Sequence, residues 1–442
     1  MTSKILLSGG CVLTLGAKTP NFTRADVLID ADVVADVGTG LRARDAEQVD
    51  ATDTIVMPGF VDTHRHAWTS LFRNLGEGSS GPHAATLGDH YRPEDVYAAT
   101  LIGLLGAAEA GITSVVDWSS LRADDAYGEA ALRAHADSGL RTVFVHAARD
   151  PSQNPEVAEP ATRRLLARLH DLAGPLTGVA LGSVLTTPSD LAGAANGWAP
   201  ARDLGMRIHA HAGPERSGAG VIAAARERGL LGADVTLIHR SELDDADVEA
   251  IASSGASVSL APSSEMASGL GSPPIQRLID RDIRPGLGIG DERVSPGDMF
   301  AQMRATISMQ HAIVFDLKLA GKAGLPRLMS TRDAIRFATV DGARVAGWEG
   351  VTGSLEPGMQ ADLITLRTDR PNIFPVNDPI GAVVWGMDTS NVDRVFVGGR
   401  VLMRDGVLEA DVRHARELAS AARERVFAAS GLVVGAVAGG DA

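Results

Sequence analysis

Eight short apolar segments, spaced for intervening helices, constrain the fold of this 442-residue chain. The tract 92–111 shows the helical pattern that follows such a segment, with proline near its start and glycine at its end. Eight strand–helix units over about 250 residues are typical of a (β/α)₈ TIM barrel. The predicted barrel strands are 60–62, 112–117, 140–146, 178–183, 206–211, 235–239, 256–260 and 284–291.

Both ends of the chain differ from this alternation, because they contain β-rich runs separated by glycine and polar residues. These runs are Lys4–Ser8, Cys11–Leu15, Asp26–Asp30, 353–366 and a hairpin over 392–402 that turns at Gly398-Gly399. The predicted class is therefore α/β, with a small β-sandwich domain built from residues 1–57 and 351–410. The barrel domain would span 58–350, and 411–442 would form a C-terminal helix and tail.

Histidine and aspartate residues collect at the carboxyl ends of the predicted strands, where barrels place their functional groups. They are His64, His66, Asp117, His146, His211, His239 and Asp291. A random scatter of twelve histidines would rarely produce this arrangement. His64 and His66 follow one short strand, and residues i and i+2 of a strand point to the same side. Both imidazoles can therefore reach one metal ion, although an isolated pair of this kind is more often a loop without a ligand.

Composition excludes several classes of protein. A formal net charge of −14 argues against nucleic-acid and anionic-membrane binding, which need clustered Lys and Arg. The single cysteine, Cys11, excludes internal disulfides and thiolate metal clusters. The apolar run Ile5–Leu7 is too short for a secretion signal, and no run approaches the roughly 18 apolar residues of a membrane helix. The expected location is the cytoplasm.

The segment Pro58-Gly-Phe-Val-Asp-Thr-His-Arg-His66 resembles the first barrel strand of the amidohydrolase superfamily. Residues 353–363 match the GxLxPGxxADL turn of that superfamily. Residues 298–304 resemble a helix typical of the branch that holds cytosine, guanine and S-adenosylhomocysteine deaminases and the triazine hydrolases. The resemblance covers essentially the full length, and it implies a hydrolase that acts on carbon–nitrogen bonds other than peptide bonds.

The resemblance also implies a metal site. Its ligands would be His64, His66, His211 and Asp291, with His239 in contact with the metal-bound water. Asp291 would also take the proton, and the pattern of this family makes His211 rather than His209 the ligand of its strand. Three imidazoles and a carboxylate leave an open position for water, as in catalytic sites. One divalent ion is expected, with Zn²⁺ as the first candidate and Fe²⁺ as the alternative.

Lysine occurs only at positions 4, 18, 318 and 322. Binuclear members of the superfamily bridge two metals with a carboxylated lysine on the fourth barrel strand, and none lies near residues 178–183. A bridging glutamate remains open. The predicted site is nevertheless mononuclear.

The chain departs from the deaminase pattern at Pro214, where deaminases of this branch carry a glutamate that protonates the ring nitrogen. A general acid contributes roughly 10² to 10⁴ in rate, so a replacement is expected. The candidates are Glu215, Glu242 and Glu265, and each has the alternative of a solvated or ion-paired surface carboxylate. If none of them serves, His239 and Asp291 must handle all protons, and the site then suits a leaving group such as a simple amide or a halide.

Several residues near the strand ends are candidates for substrate binding. They are Trp68, Arg73, Trp118, His146 and Glu242. Trp68 can stack on a flat heterocycle and Arg73 can anchor an oxygen or carboxylate, with core packing as the alternative for both. The expected partner is a small-molecule substrate, and a homo-oligomer is expected only by analogy with relatives.

The leading prediction is a hydrolytic deaminase in which metal-activated hydroxide attacks a small nitrogen-heterocyclic substrate. The alternative is an amidohydrolase or a C–N or C–halogen hydrolase that does not need the missing glutamate. A third reading is a ligand-binding barrel without catalysis. The presence of all five expected metal-site residues argues against that third reading.

Overall fold

The computed structural model describes residues 4–75, 84–119, 121, 125–147, 155–185, 187–212, 220–238 and 243–432. Its strands are β1 (Lys4–Val12), β2 (Phe22–Asp30), β3 (Val33–Gly38), β4 (Glu47–Asp50), β5 (Thr54–Pro58), β6 (Phe60–Arg65), β7 (Ile112–Ser119), β8 (Arg141–His146), β9 (Thr177–Val184), β10 (Ile208–His211), β11 (Val235–Ile238), β12 (Ser257–Leu260), β13 (Gly286–Leu287), β14 (Leu363–Arg367), β15 (Val392–Val397), β16 (Arg400–Arg404) and β17 (Val407–Leu408).

The helices lie mainly between the barrel strands and after them. They are α1 (Ala84–Gly88), α2 (Pro93–Glu109), α3 (Asp125–Ser138), α4 (Pro155–Ala173), α5 (Asp190–Asp203), α6 (Val221–Glu227), α7 (Asp245–Ser254), α8 (Pro262–Ala267), α9 (Ile275–Ile279), α10 (Met299–Leu319), α11 (Thr331–Phe337), α12 (Val340–Ala346), α13 (Pro379–Gly381) and α14 (Val412–Ser430). A 3₁₀ turn over Ala67–Phe72 follows β6 directly.

Strands β6 to β13 form the predicted barrel. Each is parallel to the next in chain order. The first and last strands meet where the Gly290 N–H donates to the His64 carbonyl at 2.9 Å and the His66 N–H donates to the Gly290 carbonyl at 3.0 Å. The (β/α)₈ barrel is therefore confirmed.

The remaining nine strands form a mixed sheet drawn from both ends of the chain, as expected. Its strands pair in the order β17-β16-β15-β14-β5-β1-β2-β3, and β4 pairs with β1. Hydrogen bonds join all nine strands into one sheet where the sequence predicted a sandwich. The domain boundaries at residues 57, 351 and 410 stay predictions.

The first strand differs from the sequence prediction, which had two separate β-rich runs at Lys4–Ser8 and Cys11–Leu15. Lys4–Val12 is one continuous strand, and its register against β2 shifts between Leu7 and Gly10. Gly9 has a φ of +80°, and a side chain at Gly10 would begin 2.8 Å from Val56 Cγ2. The two glycines therefore allow the strand to bulge without ending.

Side chains alternate along the barrel strands and so separate two environments. On β8, Val143 and Val145 join a cluster inside the barrel that also contains Val116. Phe144 packs instead with residues of the surrounding helices, among them Leu165 of α4. The direction of each side chain thus determines whether it can reach the mouth of the barrel.

Helix α14 packs on the outside of α2 and reaches the turn after β6. The rings of Phe427 and Phe72 are stacked, with centroids 6.2 Å apart and planes at 15°. In addition, Arg425 forms an ion pair with the fully buried Asp95 of α2. Within the described part of the chain, no helix combines the length and apolar character needed to cross a bilayer.

Candidate metal centre and active site

Three histidines converge at the mouth of the barrel. His64 lies near the end of β6, His66 just beyond that end, and His211 at the end of β10. One ring nitrogen from each lies within 4.8 Å of the others, and the Nε2 atoms of His64 and His66 are 3.1 Å apart. Two nitrogen ligands about 2.1 Å from one tetrahedral ion stand about 3.4 Å apart. The imidazole donors and their spacing therefore fit a single metal ion.

Close backbone packing between β6 and the segment after β13 places the first two histidines. A side chain added at Gly288 would begin 2.7 Å from the His64 carbonyl oxygen and 2.9 Å from its nitrogen. Gly290 has a φ of +70° and exchanges backbone hydrogen bonds with His64 and His66. Glycine at both positions is thus required for this approach.

Trp118 on β7 forms one wall of the histidine site. Its ring centroid lies 4.3 Å from that of His211, with planes at 82°, and 6.1 Å from that of His64, with planes at 73°. The indole is almost fully buried. Of the predicted substrate-binding residues that the structure describes, Trp118 is therefore the one placed against the histidines, where it excludes water and offers an apolar surface.

Asp291 lies beside this cluster, and its carboxylate is held by two neighbours. Its Oδ1 accepts hydrogen bonds from Thr69 Oγ1 at 3.1 Å and from the Arg293 N–H at 3.0 Å, and its Oδ2 accepts one from Arg293 Nε at 2.8 Å. Burial raises the pKa of Asp291, but the hydrogen bonds and charge of Arg293, with a smaller contribution from His66, hold it below its ordinary value. Asp291 is therefore a carboxylate at neutral pH.

The structure brings together three of the five residues expected at the metal site. The group of ligand atoms within 4.8 Å consists of His64, His66 and His211. The Asp291 carboxylate is adjacent but paired with Arg293. His239 lies outside the described residues, as do Pro214, Glu215 and Glu242.

His209, the other histidine of β10, is not one of the three histidines whose ring nitrogens converge. It is the second residue before His211 on β10, so both side chains project to the same face of the strand. His209 lies deeper on that face and is fully buried, and its absence from the histidine group agrees with the expectation that His211 is the ligand of this strand. Burial, together with the charge of Arg207, lowers the pKa of His209 to about 3. The ring is neutral at physiological pH.

His146 does not line the site. Its side chain projects to the same side of β8 as that of Phe144. Its Nδ1 lies 2.9 Å from Thr162 Oγ1 on α4. Burial lowers the pKa of His146 to about 4, with opposing smaller effects from Asp125 and Arg164. His146 therefore packs the helices onto β8, and this placement argues against the prediction that it binds substrate.

Two further candidates for substrate binding have other partners. Trp68 is buried and packs edge-on against Tyr91, with centroids 6.1 Å apart, and the Tyr91 hydroxyl donates to the Trp68 carbonyl at 2.8 Å. Arg73 is 36% exposed and pairs with Glu292, from Nη2 to Oε2 at 2.6 Å. For Trp68 the core-packing alternative holds, and Arg73 is engaged by a carboxylate of the chain itself.

Glu265 is the one described residue among the three candidate acids. It is fully buried, and its Oε1 accepts a hydrogen bond from the Ala261 N–H at 2.7 Å. This contact stabilises the turn between β12 and α8. One oxygen of the carboxylate thus holds the backbone of its own loop, and Glu265 stays a candidate for the replacement acid together with Glu215 and Glu242.

Sequence reasoning did not single out Thr69, Arg293, Arg65 or Glu292. The first two hold the Asp291 carboxylate. The other two form a buried ion pair beneath the site. The sequence did contain one signal for Arg65. Because it stands between His64 and His66 on a strand, its charged side chain must point to the opposite side from the two imidazoles.

Comparison with known proteins agrees with this geometry. Residues 55–402 match the Amidohydrolase family. The 5′-deoxyadenosine deaminase of Methanothermobacter thermautotrophicus is 30% identical over 441 residues, which cover 95% of this chain and 97% of the relative. A triazine hydrolase variant shares the fold with a TM-score of 0.82 and 20% identity, covering 95% of this chain and 99% of the other. An adenosine deaminase from Xanthomonas campestris, solved with bound zinc, has a TM-score of 0.80 and 20% identity, covering 96% and 99%.

These matches confirm the expected superfamily and the expected class of hydrolase acting on carbon–nitrogen bonds. Hydrolytic deamination with a metal ion fits both the family and the deaminase relative. The chain belongs to the amidohydrolase family.

Proposed function

We propose that this protein is a mononuclear metal-dependent hydrolase that deaminates a small nitrogen heterocycle. The observation that carries the proposal is the cluster of His64, His66 and His211 against the Trp118 wall at the mouth of the barrel. These imidazoles would hold one divalent ion, with Asp291 and His239 as the further expected metal-site residues. Zinc is the first candidate because imidazole ligands suit it, and iron(II) suits them as well.

A divalent ion at this position supplies a Lewis acid that allows water to act as a nucleophile near neutral pH. The chain supplies the proton acceptor, since the Asp291 carboxylate is ionised and lies beside the histidines. Thr69 and Arg293 fix the orientation of its two oxygens. Asp291 can therefore take a proton at its carboxylate and return it to the departing amine.

Adenine nucleosides with a modified 5′ position are the first substrates to test. The support is the 5′-deoxyadenosine deaminase relative, which aligns over nearly the whole of both chains. The indole of Trp118 provides an apolar wall suited to a flat purine ring. Extending the activity of that relative to this chain is part of the proposal.

A second function is favoured by one specific observation, the proline at position 214. Without the glutamate that deaminases of this branch carry there, protonation of the ring nitrogen needs another acid. Hydrolysis with a halide or amide leaving group makes a smaller demand on such an acid. The same residues would activate water for that reaction, so only the product distinguishes the two functions.

The test is a metal analysis of the purified chain followed by assays of the zinc-loaded and iron-loaded protein. The panel contains 5′-deoxyadenosine, adenosine, guanine, cytosine and chlorinated triazines, with ammonia and chloride measured separately. His211→Ala should abolish metal retention and turnover. His170→Ala, which changes an exposed histidine on α4, should alter neither.

Ammonia release that depends on His211 supports deamination, and chloride release supports the second function. A wild-type chain that binds no divalent metal after reconstitution, or turnover that survives His211→Ala, would sink the proposal.

A further inference from the structure

Arg65 stands between two expected metal ligands in the chain, and its side chain lies on the opposite face of β6. Its side chain is 0% exposed. Nε donates to Asp62 Oδ2 at 2.7 Å, Nη1 donates to Glu292 Oε1, and Nη2 donates to the Gly297 carbonyl at 3.1 Å. A guanidinium so deeply buried requires paired charges of this kind.

Glu292 receives this contact next to Asp291 in the chain. Its other oxygen, Oε2, accepts hydrogen bonds from Ser70 Oγ at 2.9 Å and from Arg73 Nε at 2.7 Å. Its side chain is almost fully buried. Both oxygens of Glu292 are thus fixed by residues that lie on β6 or follow it directly.

Asp62 makes the second connection between the same two segments. Its Oδ1 accepts hydrogen bonds from the Ile289 N–H at 3.0 Å and from the His64 N–H at 3.2 Å. Asp62–Ile289 and Arg65–Glu292 therefore lie on either side of Gly290, whose backbone bonds to that of His64. His64 and Asp291 lie between these buried polar contacts, and His66 follows Arg65 directly.

The energetics of buried ion pairs indicate what such a cluster contributes. Desolvation offsets most of the attraction, so apolar residues of similar size are often equally stable in place of a buried pair. An ion pair with directed hydrogen bonds does, however, fix the relative position of the two segments that carry it. The network is therefore better suited to setting geometry than to adding stability.

We propose that Arg65 and Glu292 are positioning residues, which hold the His64/His66 pair and Asp291 at the separation that one metal ion requires. The inference rests on the proposed metal site. Arg65 anchors the residue next to Asp291, and Asp62 anchors the residue before Gly290. The eighth-strand segment is thereby fixed against the first strand on the side facing away from the metal.

A matched control exists elsewhere in the molecule. Arg141 at the start of β8 forms a second buried ion pair, with Nε 2.6 Å from Asp362 Oδ2, and joins the barrel to the nine-stranded sheet. It lies at the opposite end of the barrel strands from the histidines. Its loss should affect stability but should not change the spacing of the metal ligands.

The experiment compares Glu292→Gln with Asp362→Asn. For each we would measure the zinc dissociation constant by competition with a chromogenic chelator, the thermal midpoint of the metal-free chain, and kcat and KM. Loss of a contact that orients a metal ligand typically weakens metal binding by about 10- to 100-fold. We expect that loss in Glu292→Gln together with a lower kcat and a similar KM, and zinc affinity within about threefold of wild type in Asp362→Asn.

If Glu292→Gln does not fold, the double variant Arg65→Met/Glu292→Leu removes the pair together, and the same weakening of zinc binding is expected. Zinc affinities within about threefold of each other for the Glu292 and Asp362 variants would overturn the positioning role. A wild-type chain that binds no divalent metal would overturn the proposed metal site first. The two failures are therefore distinguishable.

Discussion

Side-chain direction determines which strand-end residues can serve the active site. Trp118 and His146 both lie at the ends of neighbouring strands, yet only Trp118 faces the histidine cluster. His146 faces α4 and contacts Thr162. The side of the strand to which a side chain points is thus a better guide to function than its position along the strand. We therefore expect a change at Trp118 to affect turnover and a change at His146 to affect stability.

Replacing Trp118 with leucine should impair turnover while leaving the metal in place. The variant loses the aromatic wall but none of the metal-ligand candidates. We expect kcat/KM to fall about 10-fold, equivalent to about 1.4 kcal/mol of transition-state binding. Trp198→Leu on α5 removes another fully buried tryptophan outside the site, and it should lower thermal stability with little change in kcat/KM. Equal losses of kcat/KM in the two variants would contradict the placement of Trp118 in the site.

His146 should make the protein less stable as the pH falls. Its pKa is about 4 in the folded chain and about 6.5 in an unfolded chain. Above pH 6.5 both states are neutral and the group contributes no pH dependence. Between pH 6.5 and 4 the unfolded state binds the proton first, so stability falls by up to about 3 kcal/mol.

Urea unfolding midpoints of wild type and His146→Phe, measured from pH 7 to pH 4, test this dependence. The variant should show the shallower loss, and parallel profiles would rule out His146 as the source. Asp125 and Arg164 are the charged groups near this ring, and their opposing effects are already included in its pKa.

At the scale of elements, the C-terminal helix supports the loop that follows the first two histidines. Phe427 stacks on Phe72, and Arg425 pairs with Asp95 at the start of α2. Helix α14 therefore connects the end of the chain with the 3₁₀ turn Ala67–Phe72. The turn also packs against α2 and β7, so the contact with α14 is one of three that should hold it in place.

Truncating Phe427 to alanine should destabilise the protein by about 3 kcal/mol, because a nearly buried aromatic ring is lost from the core. The thermal midpoint should fall, and amide hydrogen exchange over 67–75 should accelerate. Phe374→Ala removes a phenylalanine that is 70% exposed, so it serves as the control and should change neither quantity. Unchanged exchange in the Phe427 variant would show that α14 does not order this turn.

The sequence was sufficient to predict elements whose signals are local. Alternation of apolar runs and helices predicted eight barrel strands, and proline and glycine correctly indicated the ends of α2. The last barrel strand is shorter than expected, since only Gly286–Leu287 keeps regular pairing while Gly288 and Gly290 pack closely on β6. Contacts such as Arg65–Glu292 join residues 227 positions apart and exist only once the barrel closes. No local pattern could predict them.

For the molecule as a whole, the candidate metal site connects segments that are far apart in the chain. His64 belongs to the first barrel strand, His211 to the fifth, and Asp291 follows the eighth. Their side chains approach each other only in the closed barrel. A metal ion held by them would bind the folded chain and not the unfolded chain, so binding and stability are coupled.

Removal of the metal should therefore lower the thermal midpoint of the whole protein. A ligand present at about 1,000 times its dissociation constant stabilises the folded state by about 4 kcal/mol. We would compare calorimetric scans of zinc-loaded protein, chelator-treated protein and chelator-treated protein given zinc again.

The midpoint should fall and then recover in wild type and in His170→Ala, whereas His211→Ala should show a low midpoint that zinc does not raise. Because the ligand candidates come from the first, fifth and eighth strands, the shift should affect the barrel transition as a unit. A shift of equal size in His211→Ala would mean that zinc acts at another site, and no shift in wild type would mean that the three histidines do not hold a metal.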